Sequence, residues 1–459
     1  GHIRCYPDKG SANYLWTTVG GKPQQTIDLR DGRIYSMPWL RSGCRIGPFL
    51  CNGLSYITPA PCVCYIPVRM KGLLALSPGA KNAPAFTPCD KRLTRGPAYK
   101  RTYASPAVQA LPGDWPTFRH DATRESKAST GIPNKLKMAW ETKLHGKLTQ
   151  PVVAGGLVYV ASTDEHTMYA LDAKTGNQAW AFTVGGRIDS SPTWYRGRLL
   201  FGSADGAVYC LDAKEGLLAW RFQAAPSLSH VVSYGQLESL WPVHGTVLVN
   251  EGKAIVICGR TPYLDGGLAI YELNVVDGKI LRQKTIDMTG TAMPEDPPQG
   301  FLPDILVQKE GRVYSRYTEI LLNRSEIDYV KIEHRELVGP GNAIPYHKQG
   351  LFIVGSGGLL REGIFHRSGV LYGTSHGQLM AVDGTSYLLK FFDTWERNDR
   401  PFSPGRDKIE LVAEDPESGK KHWTINLPVM ARSIVALKDR LVLAGAPCVV
   451  APEDPWLNV

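Results

Sequence analysis

Three regularities in the chain predict an all-β fold of the β-propeller kind, built from four-stranded blades. The pair Ala-Trp recurs at Ala139-Trp140, Ala179-Trp180 and Ala219-Trp220, a spacing of forty. The set Tyr169, Leu171, Asp172, Ala173 and Gly176 recurs as Tyr209, Leu211, Asp212, Ala213 and Gly216. Upstream, Pro151, Gly156, Ser162 and Asp164 recur as Pro192, Gly197, Ser203 and Asp205, with an offset one residue longer. The extra residue falls at a turn, where Glu165-His166-Thr167 stands in place of Gly206-Ala207. Length variation at turns with strands in register is the mark of a repeated sheet.

Within one repeat each element has a local cause. Gly155-Gly156 turns the chain into Leu157-Val158-Tyr159-Val160-Ala161, a β-branched and aromatic strand. Thr163-Asp164 turns it into Thr167-Met168-Tyr169-Ala170-Leu171. Asp172-Ala173-Lys174-Thr175-Gly176 makes a tight turn, since Asp accepts hydrogen bonds from the amides ahead and Gly tolerates positive φ. Ala179-Trp180-Ala181-Phe182 follows as another strand, and the next strand region begins near Ser190-Ser191-Pro192. A four-stranded sheet cannot cover its own faces, so neighbouring sheets must stack. Trp140, Trp180, Trp220 and Trp423 are the expected docking residues between sheets.

The pattern continues in weaker form. Ile270 to Gly278 keeps the hairpin without its Trp, Leu371 to Asp383 matches Leu200 to Asp212, and Asp415 to Trp423 copies Asp172 to Trp180. Tyr14-Leu15-Trp16 with Ile27-Asp28-Leu29 makes one weak unit near the start, and Gly53 to Ile57 with Gly72 to Leu76 makes another. The expectation is about eight blades, seven or eight, with the last incomplete. The expected organisation is N-terminal blades with a cysteine cluster over 1–82, a Pro-rich connection over 83–112 and the main blades over 113–459.

The 459 residues carry a formal net charge of +9. No long Lys/Arg run accompanies that charge, so nucleic acid is not the expected partner; an anionic polymer is an alternative one. No apolar run approaches the roughly 18–20 residues needed to cross a bilayer. The chain begins at Gly1 in strand-like sequence, which reads as a processed or partial product. Five of nine cysteines, Cys5, Cys44, Cys51, Cys62 and Cys64, fall near the start and are disulfide candidates for an oxidising compartment. Free thiols and a zinc site are the alternatives; no Cys-x-x-Cys pair exists, and no metal site is expected.

The Ala-x-Asp-x-x-Thr-Gly-x-x-x-Trp repeat resembles the tryptophan-docking motif of quinoprotein alcohol dehydrogenases and of outer-membrane assembly lipoproteins. Gly113-Asp114-Trp115-Pro116-Thr117-Phe118-Arg119-His120-Asp121 resembles the usual opening of such a propeller. Arg4 to Lys9, Cys62 to Tyr65, Leu148 to Val153, Gly185 to Ser190 and Gly235 to Gly245 resemble a planctomycete-type group of these PQQ-like repeat proteins. The resemblance implies a periplasmic or extracellular location. In the family's enzymes it also implies pyrroloquinoline quinone with calcium in the central channel, often stacked on a vicinal disulfide. No adjacent Cys pair is present here, and no calcium set aligns.

Arg187, Asp189, Gln236, Glu238, His244, Arg260 and Asp265 form the best polar constellation. Arg187 and Asp189 precede a strand expected to line the channel, and the others sit in two insertions. They either bind a polar ligand at one mouth of the channel or fix loops through ion pairs, and His244 reads first as a loop histidine. The favoured function is a non-catalytic scaffold, without cofactor, that binds other proteins or copies of itself in an envelope or extracellular assembly. The alternatives are a PQQ- and calcium-dependent dehydrogenase with a diverged site and a binder of anionic polymer.

Overall fold

The computed structural model describes residues 8–17, 24–37, 39–40, 42, 46–58, 73–77, 91–104, 109–289 except 234, 303–331 except 316–317 and 324–325, 354–355, 358–359, 377–390 and 409–448 except 416–417 and 419. They form antiparallel sheets and one short helix, Tyr99–Ala104.

Sheet A contains Val152–Ala154, Leu157–Ser162, Thr167–Asp172 and Gln178–Thr183, paired in chain order. Sheet B repeats it with Thr193–Tyr195, Arg198–Gly202, Ala207–Asp212 and Leu218–Gln223. Sheet C follows with Leu248–Asn250, Lys253–Cys258, Leu268–Asn274 and Ile280–Ile286. Sheet D is Val307–Lys309, Arg312–Ser315, Thr318–Leu322 and Ile327–Lys331. Sheet E is Gly377–Val382, Ser386–Lys390, Glu410–Glu414 and Lys421–Asn426, and the hairpin Val429–Ala436 with Leu441–Pro447 follows. The first strands of sheets A, B and C neighbour one another, so the sheets fan outward from a shared line of inner strands. The two weak N-terminal units are sheets as well, with Leu15 opposite Ile27 and Ile57 opposite Leu74. An eight-blade count draws partly on residues outside the described set.

The turns follow the chemistry of the sequence. Asp172 Oδ1 accepts from the Lys174 amide at 3.0 Å and the Thr175 amide at 2.8 Å, and Asp212 Oδ1 does the same for Lys214 and Glu215. In sheet C, Asn274 takes this place and accepts from Val276 N at 2.8 Å. A β-bulge recurs one residue before each turn's approach, at Ala170/Leu171, Cys210/Leu211 and Glu272/Leu273.

Indoles join the sheets. Trp180 Nε1 donates to Ala213 O at 3.1 Å, and Trp220 Nε1 donates to Val275 O at 3.0 Å, each in the next sheet. Trp140 Nε1 donates to Ala173 O of sheet A at 3.1 Å. Trp423 differs: it is 40% exposed and lies against Tyr387 of its own sheet.

Three features depart from expectation. Within the Pro-rich connection, Leu93–Arg95 adds to the outer edge of sheet B, with Trp220 opposite Arg95 and Phe222 opposite Leu93. Gly377–Val382 resembles a third strand in sequence and, among the described residues, is the first strand of sheet E, packed against Val429–Ala436. No disulfide is present among the described residues: Cys51 is an exposed free thiol, and Cys210, Cys258 and Cys448 are free as well. Cys5, Cys44, Cys62 and Cys64 lie outside the described residues.

The opening segment 115–128 crosses the inner strands. Trp115 pairs with Val153 of sheet A, Trp194 N of sheet B donates to Pro116 O, and Gln308 N of sheet D donates to Ala122 O. Val382 N of sheet E donates to Glu125 O, and Ala128 N donates to Ala436 O in the final hairpin. Arg124 is fully buried and donates through Nε to Leu306 O at 3.1 Å and through one terminal nitrogen to Thr117 Oγ1 and Phe118 O, each at 2.9 Å. Arg119, His120, Arg124 and Ser126 all have positive φ, so this path is held against the ordinary backbone preference.

Candidate functional site

Five of the seven residues singled out in the sequence meet in one buried network. Arg187 and Asp189 lie on the turn before the first strand of sheet B, and Glu238 and His244 lie on the insertion before sheet C. Arg187 Nε donates to Asp189 Oδ1 at 3.2 Å, and its terminal nitrogen pairs with Glu238 Oε1 at 2.7 Å. Arg260 donates to Glu238 Oε2 at 2.8 Å and to Ser239 O at 2.9 Å. His244 Nδ1 donates to Asp189 Oδ2. Burial alone would push the Asp189 carboxyl up, but the His244 and Arg187 contacts outweigh it and hold it below the usual carboxylate range. Two guanidinium groups and two carboxylates thus compensate one another inside the protein. His244 Nε2 has no hydrogen-bond partner among the described residues.

The other two residues lie elsewhere. Gln236 reaches sheet A: its Oε1 meets His166 Nε2 at 2.8 Å, and its Nε2 donates to Asp164 O at 3.3 Å. Asp265 lines a 660 Å³ cleft with Arg92, Ser227, Trp241, Tyr271 and Gln283. Burial raises the Asp265 carboxyl, with the Arg260 charge opposing the shift. Arg92 is drawn into the cleft wall by a 2.8 Å bond to the Tyr271 hydroxyl.

One surface was not legible as a site in the sequence. The insertion folds as a hairpin, His230–Ser233 with Gln236–Ser239. One side is anchored: Glu238 and Ser239 are buried, and Ser239 N donates to Ala204 O at 2.8 Å. The other side exposes Val232 at 69% and Leu237 at 66%, which stand opposite each other across the hairpin, and Leu228 just before the hairpin is 58% exposed. Alternation along Gln236-Leu237-Glu238 carries the signal, with apolar Leu237 outward and charged Glu238 inward, the reverse of an ordinary surface strand.

Residues 134–315 match the family described as outer membrane protein assembly factor BamB, through a model of its PQQ-type repeat. Over that span the repeats are similar to the PQQ type. A search of the curated proteins found no match. Among solved structures, a quinohemoprotein alcohol dehydrogenase from Pseudomonas putida HK5 is 12% identical over 75% of this chain and 70% of its own, with a TM-score of 0.46. BamB from Moraxella catarrhalis is 11% identical over 96% of this chain and 91% of its own, with a TM-score of 0.31. A quinohemoprotein alcohol dehydrogenase from Comamonas testosteroni is 15% identical over 74% and 72%, with a TM-score of 0.37. None of these comparisons narrows the PQQ-type repeats to a taxonomic group.

The residues that meet beside the PQQ-type repeats do not fit a quinone–calcium centre. Calcium takes six to eight oxygen ligands, whereas Asp189 and Glu238 are committed to Arg187, Arg260 and His244. No group of three or more His, Cys, Asp or Glu among the described residues could hold a metal ion. No described helix is long and apolar enough to cross a membrane.

Proposed function

We propose that this PQQ-type repeat protein is a binding scaffold of the cell envelope or extracellular space that docks a partner protein on the 228–239 hairpin. The observation that carries this reading is the pairing of exposed Leu228, Val232 and Leu237 with a rigid, charge-compensated anchor beneath them. Exposed apolar groups on a surface hairpin cost solubility unless something covers them, and a held hairpin loses little entropy when it is covered. In this reading the Arg187–Glu238–Arg260 network is a support: it orients the hairpin and is not itself presented to a ligand. The match of residues 134–315 to an assembly-factor family supports the same reading.

A photo-crosslinking amino acid at Val232, compared with one at exposed Lys174, tests it in the envelope fraction of the source cells. A partner-protein adduct at position 232 and not at 174 is expected. Dye-linked alcohol oxidation by the purified chain with added PQQ and calcium, lost in Asp189→Asn, would overturn the reading.

A further inference from the structure

The 660 Å³ cleft lies between the outer two strands of sheet C and the end of sheet B, and strand register sets the order of its side chains. Ala269 and Tyr271 stand two residues apart and so share one face of Leu268–Asn274, with Thr285 and Gln283 opposite them on Ile280–Ile286. At the Tyr271 end, Arg92 Nη1 donates to the Tyr271 hydroxyl at 2.8 Å. That hydroxyl donates in turn to Ala224 O, just past the last strand of sheet B, at 2.9 Å. The phenol is fixed on both sides and holds the half-buried guanidinium by one corner. Arg92 forms no ion pair among the described residues, and its Nε and second terminal nitrogen have no protein partner there.

At the other end the chain enters Leu268–Asn274 through Asp265, Gly266 and Gly267, all at positive φ. A Cβ on Gly267 would stand 2.0 Å from Ile286 O, so the turn admits only glycine there and its path is fixed. The turn places Asp265 in the cleft wall. Asp265 is half-buried and has no hydrogen bond or ion pair among the described residues. Burial raises its carboxyl, the sign of a charge short of partners.

The cleft thus holds a cation at one end and an anion at the other, paired neither with each other nor with any other described ionised group. A singly charged ligand would satisfy one and leave the other desolvated without a partner. A ligand with both charges satisfies both. Between the ends, Gln283 and Thr285 supply an amide and a hydroxyl, groups that pair with peptide N–H and C=O, and Ala269 and Ile280 supply apolar contact. The volume falls in the range of roughly 300–1,000 Å³ usual for small-ligand sites. Trp241 and Tyr271 are only 2% and 3% exposed, so neither presents an open ring face on which a sugar could stack.

We propose that this cleft binds a short peptide with both termini free, its carboxylate on Arg92 and its ammonium on Asp265. The site goes beyond the docking of a protein on the 228–239 hairpin and does not depend on it.

Calorimetry on the full chain with the tripeptide Ala-Ala-Ala tests the proposal, and a dissociation constant of about 1 mM or tighter is expected for a ligand of this size. N-acetyl-Ala-Ala-Ala and Ala-Ala-Ala amide each lack one terminal charge and are expected to bind about tenfold more weakly or worse. Matched losses assign the ends. In Arg92→Gln, amidation should no longer weaken binding while acetylation still does; in Asp265→Asn, acetylation should no longer matter while amidation still does. Asn tolerates positive φ, so Asp265→Asn keeps the turn. Thr285→Trp, at an exposed strand position facing the cleft, is expected to block binding while leaving the melting temperature unchanged. Four results overturn the proposal: no heat from Ala-Ala-Ala up to about 10 mM, equal binding of free and capped peptides, the same weakening of all three peptides in both charge variants, or binding of maltose that both variants weaken, which marks a polyol site. None of them touches crosslinking at Val232.

Discussion

The Trp180 indole rests on Gly216 of the next sheet so closely that a Cβ there would stand 2.5 Å from the ring, while Gly216 itself sits at φ +71°. Gly216→Ala therefore meets a positive-φ penalty and a clash together, and is expected to destabilise by about 2 kcal/mol or more. Urea unfolding measures it. The contact repeats at Gly176 under Trp140 and at Gly278 under Trp220, so alanine at those positions should behave alike.

Burial ranks the tryptophans. Trp220 is fully buried and bonded to Val275 O, so Trp220→Ala should cost about 3–5 kcal/mol. Trp423 is 40% exposed, and Trp423→Ala should cost about 1 kcal/mol or less. Equal losses in parallel unfolding curves would show that sheet E docks like sheet B.

Asp189→Asn should cost about 3–5 kcal/mol at neutral pH, because it removes the buried carboxylate shared by Arg187 and His244 and leaves Arg187 with Glu238 alone. The folded Asp189 carboxyl lies below its unfolded value. Its contribution is thus full above the unfolded pKa of about 3.9 and is lost as pH falls through the folded value. The gap between wild type and variant should narrow in acid, and unfolding followed from pH 7 to pH 3 checks this.

Arg124 ties segment 115–128 to sheet D through Leu306 O. Burial pushes its guanidinium down to about 9, which leaves it charged at neutral pH. Arg124→Met would strand several buried oxygen acceptors and should cost about 2–4 kcal/mol. Circular dichroism melts would register the loss.

Thiol labelling should separate the cysteines. Burial pushes the Cys210 and Cys258 thiols up, and Cys258 Sγ donates to Trp241 O at 3.0 Å. Iodoacetamide at pH 8 should modify Cys51 in the native chain and reach Cys210 and Cys258 only after denaturation, as read by peptide mass spectrometry.

How much was legible follows from the range of each interaction. The Asp172 and Asp212 turns, the strands around them and the indole spacing were visible because they depend on residues a few places apart or on a fixed repeat. The candidate cluster was visible only as a set of polar residues in insertions. Nothing in the chain announces that Arg187 would meet Glu238, or that Gln236 would go to His166 instead, since these partners are brought together by how sheets A, B and C stack. Trp423 shares its local motif with Trp180 yet differs in burial: Trp180 bonds to Ala213 of the next sheet, whereas among the described residues Trp423 lies against Tyr387 of its own sheet.

By itself the sequence determined an all-β repeat of the PQQ type, its turn chemistry and the indoles available for docking, because backbone propensity and period are written locally. Tertiary structure alone decided the rest. Leu93–Arg95 joined sheet B because the outer edge of Leu218–Gln223 offered unpaired backbone groups, which no local pattern specifies. Segment 115–128 came to span the inner strands, and Asn134 came to meet Arg440 of the final hairpin, because two distant parts of the chain pack together there. Those are long-range contacts, set by which surfaces remain uncovered once every local element has formed.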